Sequence, residues 1–202
     1  CASSISHQYP LVEFGTGLMF TLIVLHLLPV VMFSQALFIF LTILFTFIFC
    51  LLMVISVYDF RHKIIPDKLV YVFIFTAFLA LFIFFSGDYF ISLPSPMRLV
   101  AGPLFALPFA LLWMIGKGRF MGLGDAKLIL GLAWMFPPYQ TLAILTLSFW
   151  IGSVVSLALM FFSKKKMGMK TEIPFAPFLA LSAFIVFFFS LDIFSLAAIF
   201  SL

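Results

Sequence analysis

The sequence predicts an all-α membrane protein, a polytopic bundle of about seven transmembrane helices. Three observations carry that prediction. Of 202 residues, 65% are hydrophobic and only 9% charged, with 31 phenylalanines; a water-soluble globule cannot bury that much apolar surface, so lipid is the expected solvent. Several apolar runs reach the roughly 20 residues that a hydrocarbon core about 30 Å thick requires. Unbroken stretches such as Ala36 to Ile55 also lack the period-two alternation of a membrane β-strand. Backbone groups in lipid must be paired internally, which leaves helices.

Proline, glycine and charge divide the apolar runs into seven expected helices, near residues 13–33, 36–58, 69–86, 97–115, 124–136, 140–162 and 176–200. The second closes on Asp59 and the basic Arg61 and Lys63; the third follows Pro66 and runs to Gly87. Pro103 and Pro108 fall inside the fourth, where a missing N–H and a ring clash favour a kink. The fifth opens after Gly122-Leu123-Gly124 and stops at Pro137. With about 13 residues it spans only about 20 Å, short for a crossing.

Charge placement argues that it crosses nonetheless. Arg61, Lys63 and Lys68 follow helix two; Lys117, Arg119 and Lys127 surround the start of helix five; Lys164, Lys165, Lys166 and Lys170 follow helix six. With seven crossings all three clusters fall on one side, which the positive-inside rule makes cytoplasmic. The N-terminus is then cytoplasmic and the C-terminus outside, in the plasma (inner) membrane of the cell. The net charge of +4 is thus a topology signal, and nucleic acid is not an expected partner. The basic stretch 163–172 reads as an orientation signal, or as a contact for anionic membrane lipid or a substrate tail.

Residues 1–202 are expected to form a single membrane-embedded domain, with 1–12 as a remnant of a cytoplasmic N-terminal region. The chain opens on Cys1 and shows no basic flank and cleavage site of a signal peptide, which suggests that it starts partway through a longer precursor. Cys50 sits within an apolar run, so a disulfide to Cys1 is not expected.

The acidic residues are few, and their contexts differ. Asp88 falls in a polar outside loop, and Asp192 late in helix seven near its outer end. Asp59 ends helix two and Asp125 starts helix five, both at the cytoplasmic boundary, where a carboxylate is costly enough to suggest function. Structural readings exist for each: Asp125 as a helix cap, Asp59 as a partner of Arg61 or Lys63. Together they suggest chemistry. Two facing carboxylates cannot both ionise at about 3 Å, so they share a proton; one then activates water while the other donates to a scissile carbonyl. That mechanism needs no metal and no cofactor. Gly122 and Gly124 remove side chains beside Asp125 and admit an extended substrate backbone or a neighbouring helix.

The same carboxylates also suit a transporter or channel that relays protons or binds cations, or a non-enzymatic assembly factor in which they are structural. A transporter should show a polar path across the bilayer, and the sequence offers little to build one. His26 is isolated in helix one and reads as a tolerated interior histidine, and the phenylalanines of 184–189 read as packing or lipid-facing surface.

The sequence resembles the type IV prepilin peptidase family, aspartyl membrane peptidases that include preflagellin peptidases. The stretch Tyr58-Asp59-Phe60-Arg61-His62-Lys63-Ile64-Ile65-Pro66-Asp67-Lys68-Leu69 resembles the family's first aspartate block, and Gly122-Leu123-Gly124-Asp125-Ala126-Lys127-Leu128 its second. Pro174-Phe175-Ala176-Pro177 is similar to a late Pro-Phe-Gly-Pro segment, with Ala176 in place of glycine, and Tyr9-Pro10-Leu11-Val12-Glu13 with Thr16-Gly17 to the entry of an early helix. The resemblance implies that Asp59 and Asp125 are the catalytic pair. It also implies prepilin-like substrates, carrying a basic leader before an apolar helix and cut on the cytoplasmic side. By the same resemblance Gly122 and Gly124 shape the site, Lys127 orients Asp125 or holds lipid, and Arg61 supports. Bacterial members often add two CxxC pairs that bind zinc, and a methyltransferase activity. Here Cys1-Ala2-Ser3-Ser4 is all that resembles such a pair; four thiolates cannot be assembled from these residues, so either an upstream half is missing or this member has lost the zinc site, methyl transfer is not expected, and Glu13 receives no role.

Overall fold

Pro29 sets the first feature of the architecture. In the computed structural model, which describes residues 8–86, 88–91, 93–118, 121–162 and 174–200, α1 (Gln8–Leu27) tightens at that proline into a 3-10 turn, Leu28–Met32. The proline has no N–H to continue an α-helical ladder. Ser34 then caps α2 (Gln35–His62), its hydroxyl accepting the Leu37 N–H at 3.3 Å, a common way to satisfy an orphan donor. The chain continues as α3 (Asp67–Ala80), a hairpin of β1 (Ile83–Ser86) and β2 (Asp88–Ile91), α4 (Pro96–Gly116), α5 (Leu123–Met135), α6 (Pro138–Phe162), α7 (Ala176–Phe189) and α8 (Ile193–Phe200).

Among the described residues, four segments are long and apolar enough to cross a bilayer: Val12–Met32, Gln35–His62, Pro96–Gly116 and Pro138–Phe161. Their outer faces carry large apolar side chains, among them Ile43, Phe47, Leu104 and Val154, each about half exposed or more. In water that surface would aggregate, and in lipid it is solvated. The all-α membrane bundle expected from composition is therefore the observed architecture, with an antiparallel hairpin added to it.

Among the described residues, α3, α5, α7 and α8 are shorter, with 14, 13, 14 and 8 residues. α5 is largely enclosed: Asp125, Ala126, Leu128, Ile129, Leu132 and Ala133 are all buried, while Leu123, Lys127, Leu130 and Trp134, spaced at helical intervals, stay exposed or half-buried. Glycine makes the enclosure possible. Phe73 of α3 packs its ring on Gly131, and the indole of Trp134 packs on Gly102 of α4. Neither approach leaves space for a Cβ. Trp134 also donates its Nε1–H to the Leu99 carbonyl at 3.0 Å and meets Phe78 of α3 edge-on at 5.2 Å. One side chain thus ties three helices together. Trp134→Ala is expected to destabilise the detergent-solubilised protein by about 2 kcal/mol or more, read as an earlier thermal unfolding midpoint, with Trp134→Phe intermediate.

The remaining core forms where α2 meets α7 and α1. Phe187 packs against Phe45 at 4.8 Å, Phe49 at 5.2 Å and the His26 ring at 4.7 Å, while Phe184 meets Phe49 edge-on at 5.3 Å. His26 is an interior packing residue, and the 184–189 run divides, with Phe187 buried and Phe189 64% exposed.

Two expected helices end earlier than their apolar runs. Helix three stops at Ala80, not 86, because Ile83-Phe84-Phe85 pairs with Tyr89-Phe90-Ile91 in the hairpin, in the register Ile83↔Ile91 and Phe85↔Tyr89. β-branched and aromatic residues beside a Ser-Gly-Asp turn signal favour a strand. Asp88 accordingly lies in β2, not in a loop. Helix seven is two helices. Ser190 takes the left-handed conformation (φ 50°) that ends α7, and Asp192 starts α8, its Oδ1 accepting from the Ser195 N–H and hydroxyl, both at 2.6 Å. The lysine-rich segment 163–172, like residues 1–7, lies outside the described residues.

Candidate active site

α2 carries Asp59 further into the helix than its apolar run suggests. The helix extends to His62 and closes on Lys63 in the left-handed conformation (φ 54°), whose N–H donates to the Asp59 carbonyl at 2.7 Å. Asp59 therefore sits in the last turn, 5% exposed. Its carboxylate Oδ2 accepts the N–H of Ala176 at 3.3 Å. Ala176 is the first residue of α7, and no side chain of α7's own cap, Phe175, serves that helix end. The first N–H groups of a helix lack intrahelical acceptors and form the positive end of its dipole. Asp59 thus caps α7 from a different helix.

Asp125 is the third residue of α5, not its cap; Gly122 holds that position in extended conformation, with ψ 143°. The Asp125 N–H donates to the Gly122 carbonyl at 3.2 Å, and its carboxylate accepts in return from the Gly122 backbone. Oδ2 faces the position where a side chain on Gly122 would begin, 3.5 Å away. Oδ1 is buried and has no hydrogen-bond partner among the described residues. The charge that acts on Asp125 is that of Asp59. The end of α2, the start of α5 and the start of α7 therefore converge, bringing carboxylates 66 positions apart in the chain within electrostatic reach of each other.

Gly124 is where this convergence is tightest. A Cβ on it would stand 2.7 Å from Cβ and 2.9 Å from Cδ1 of Ile65, so the glycine admits the α2–α3 connection of this chain directly onto α5. Its sequence suggested a substrate backbone or a neighbouring helix as the partner; what packs against it among the described residues is instead the connection between two helices. Gly122 is exposed and open toward Asp125.

Lys127 does not turn to Asp125. Its ammonium donates to Asp67 Oδ1 at 2.6 Å and to the Tyr71 hydroxyl at 3.3 Å, both on α3, and lies 4.9 Å from the Tyr71 ring centre. Arg61 is exposed in the last turn of α2, beside Tyr58 stacked on His62 at 4.4 Å. Among the described residues no cluster of three or more His, Cys, Asp or Glu side chains is arranged to hold a metal ion. Two contributors escaped sequence reasoning: the Ala176 N–H and the Ile65 side chain. Their signals were present as the Pro-Phe-Ala-Pro start of α7 and the Ile-Ile-Pro run after α2, but a backbone donor leaves no mark in residue type.

The sequence profile of the type IV leader peptidase family matches residues 46–157, more than half of the chain and a span that includes both aspartates. The chain belongs to the type IV leader peptidase family. It is also similar to the prepilin leader peptidase/N-methyltransferase of Xanthomonas campestris pv. campestris, with 30% identity over 148 residues, 71% of this chain and 49% of that protein. The chain thus spans about half the length of that curated relative. No solved structure matches it. The family match ends in α6, so the Ala176 contact to Asp59 comes from beyond the leader peptidase core that the profile covers.

Proposed function

We propose that this leader peptidase family member is an aspartic endopeptidase that removes the basic leader from prepilin-like membrane proteins at the cytoplasmic face. The observation that supports the reading is that Asp59 lies near enough for its charge to act on Asp125, whose Oδ1 is buried and unpartnered among the described residues. A buried carboxyl oxygen without a donor is costly unless a proton or a reacting group completes it. Asp59, held by the α7 N-terminus, is the better-stabilised anion and takes the proton of the attacking water. Asp125 carries the shared proton and gives it to the scissile carbonyl as the tetrahedral intermediate forms. As the gem-diol collapses, Asp59 passes its proton to the leaving amine and Asp125 recovers one from a hydroxyl of the intermediate, which completes hydrolysis and returns the pair to one shared proton.

The cytoplasmic assignment rests on the exposed Lys63 and Lys117 at the ends of α2 and α4 and on the basic stretch before α7. On this reading the chain is a single membrane-embedded domain in the inner (plasma) membrane, with a cytoplasmic N-terminus and lipid around it. The test is reconstitution in liposomes with a leader-bearing membrane substrate, reading the new N-terminus by mass spectrometry. Cysteines placed at Lys63 and Lys117 should be labelled only from the side where cleavage occurs. Intact substrate together with proton-coupled flux would replace the peptidase with a transporter. Intact substrate without flux would leave a non-enzymatic assembly role.

A further inference from the structure

The two aspartate blocks are joined at a second point besides the carboxylates. Asp67 opens α3, directly after the Ile64-Ile65-Pro66 connection from α2, and Lys127 lies two residues beyond Asp125 on α5. Their ion pair, at 2.6 Å, spans 60 positions of sequence. Tyr71, one turn along α3, accepts from the same ammonium and lies beneath it. On the inner side of this link, Ile65 fills the space left by Gly124. Ile65 thus fixes how closely the connection approaches α5, and the Asp67–Lys127 pair fixes its register along the helix.

We propose that Asp67, Lys127 and Tyr71 are positioning residues that hold the α2–α3 connection against α5 and thereby set the separation of Asp59 and Asp125. The proposal rests on the peptidase reading of the aspartates. Lys127 acts through Asp67 and never contacts the reacting atoms. An ion pair this accessible, with Lys127 20% and Asp67 62% exposed, contributes little to global stability. Displacement of a catalytic group by about 1 Å can nevertheless cost on the order of 100-fold in rate.

The experiment compares Asp67→Ala, Lys127→Ala and the exchanged pair Asp67→Lys with Lys127→Asp, in purified full-length chain in detergent. One readout is kcat and KM for a leader-bearing substrate. The other is the distance distribution between spin labels at Lys68 and Leu123, both exposed, which reports the junction whether or not the protein cleaves. Each single variant is expected to lower kcat by about tenfold with KM and thermal midpoint nearly unchanged, and to broaden the distance distribution. The exchanged pair is expected to restore both readouts to within about threefold of wild type. Single variants with wild-type kcat and distance width overturn the proposal. So does loss of activity that the exchange fails to rescue, which would give Lys127 a direct role toward substrate or lipid. Inactive wild-type protein whose distances still respond as described would remove the peptidase reading and leave the clamp standing.

Discussion

Asp125→Asn is expected to lower cleavage by about 10²- to 10⁴-fold, the usual contribution of a positioned acid or base, while the protein still inserts and folds. An amide has nearly the shape of the carboxyl group, so the packing around position 125 is kept. What is lost is the ability to hold and release the shared proton. The thermal midpoint should change little, because the amide replaces a buried carboxyl group that, as the proton carrier of the pair, is already neutral. Asp59→Asn should be equally inactive for the complementary reason. Its amide oxygen can still accept the Ala176 N–H, which preserves the start of α7, but it cannot take a proton from water. On the proposed mechanism the two groups titrate as a unit in wild type, so the dependence of kcat/KM on pH should be bell-shaped. Both limbs belong to the pair rather than to one residue. Cleavage assays across pH, paired with thermal melts, check both statements.

Gly124→Val has the second largest expected effect, and here activity and stability should fall together. Even the first added carbon would lie 2.7 Å from Ile65 Cβ, well inside van der Waals contact, and the branches of valine would add to the clash. Overpacking of this kind typically costs about 1–3 kcal/mol. The α2–α3 connection must withdraw from α5 to relieve it, and the carboxylates move apart. Cleavage is expected to drop by about 100-fold. Gly124→Ala should be milder, and Ile65→Ala added to it should recover part of the loss, because the clash is with that side chain. Gly122→Ala offers a contrast. Its Cβ would make ordinary contact with Asp125 Oδ2 at 3.5 Å, so the fold should survive, and any lost activity would report crowding of the site itself.

The long helices were legible because their evidence is local. α2, α4 and α6 follow from apolar runs bounded by charge and proline, and their ends fall within a few residues of expectation, apart from the added turn that carries α2 past Asp59 to His62. The breaks inside apolar runs were harder to read. Ile83-Phe84-Phe85 looks the same to a hydropathy reading whether it extends α3 or forms β1, and only the pairing with 89–91 decides. The end of α7 rests on a left-handed Ser190, a conformation that a serine does not announce, although Asp192 three residues before Ser195 was a readable start signal for α8.

The site divides in the same way. Aspartates at membrane-boundary helix ends stand out because charge is rare in this chain, and the glycines beside Asp125 indicate close approach without naming what approaches. Partners remote in sequence were not legible. Lys127 next to Asp125 invites a direct pairing, yet its ammonium reaches Asp67, 60 positions away. The donor to Asp59 is a backbone group 117 positions away. Such contacts depend on how α3, α5 and α7 pack, which no local pattern in the sequence records.

The central claim is that Asp59 and Asp125 act as one proton-sharing unit. Its most direct test is kcat for wild type, Asp59→Asn, Asp125→Asn and the double variant, measured on one leader-bearing substrate with equal amounts of folded protein. Residues that act as a unit are strongly non-additive, so each single variant is predicted to be as inactive as the double. A double variant whose loss equals the product of the two single losses, or a single variant that cleaves at close to the wild-type rate, would contradict the account.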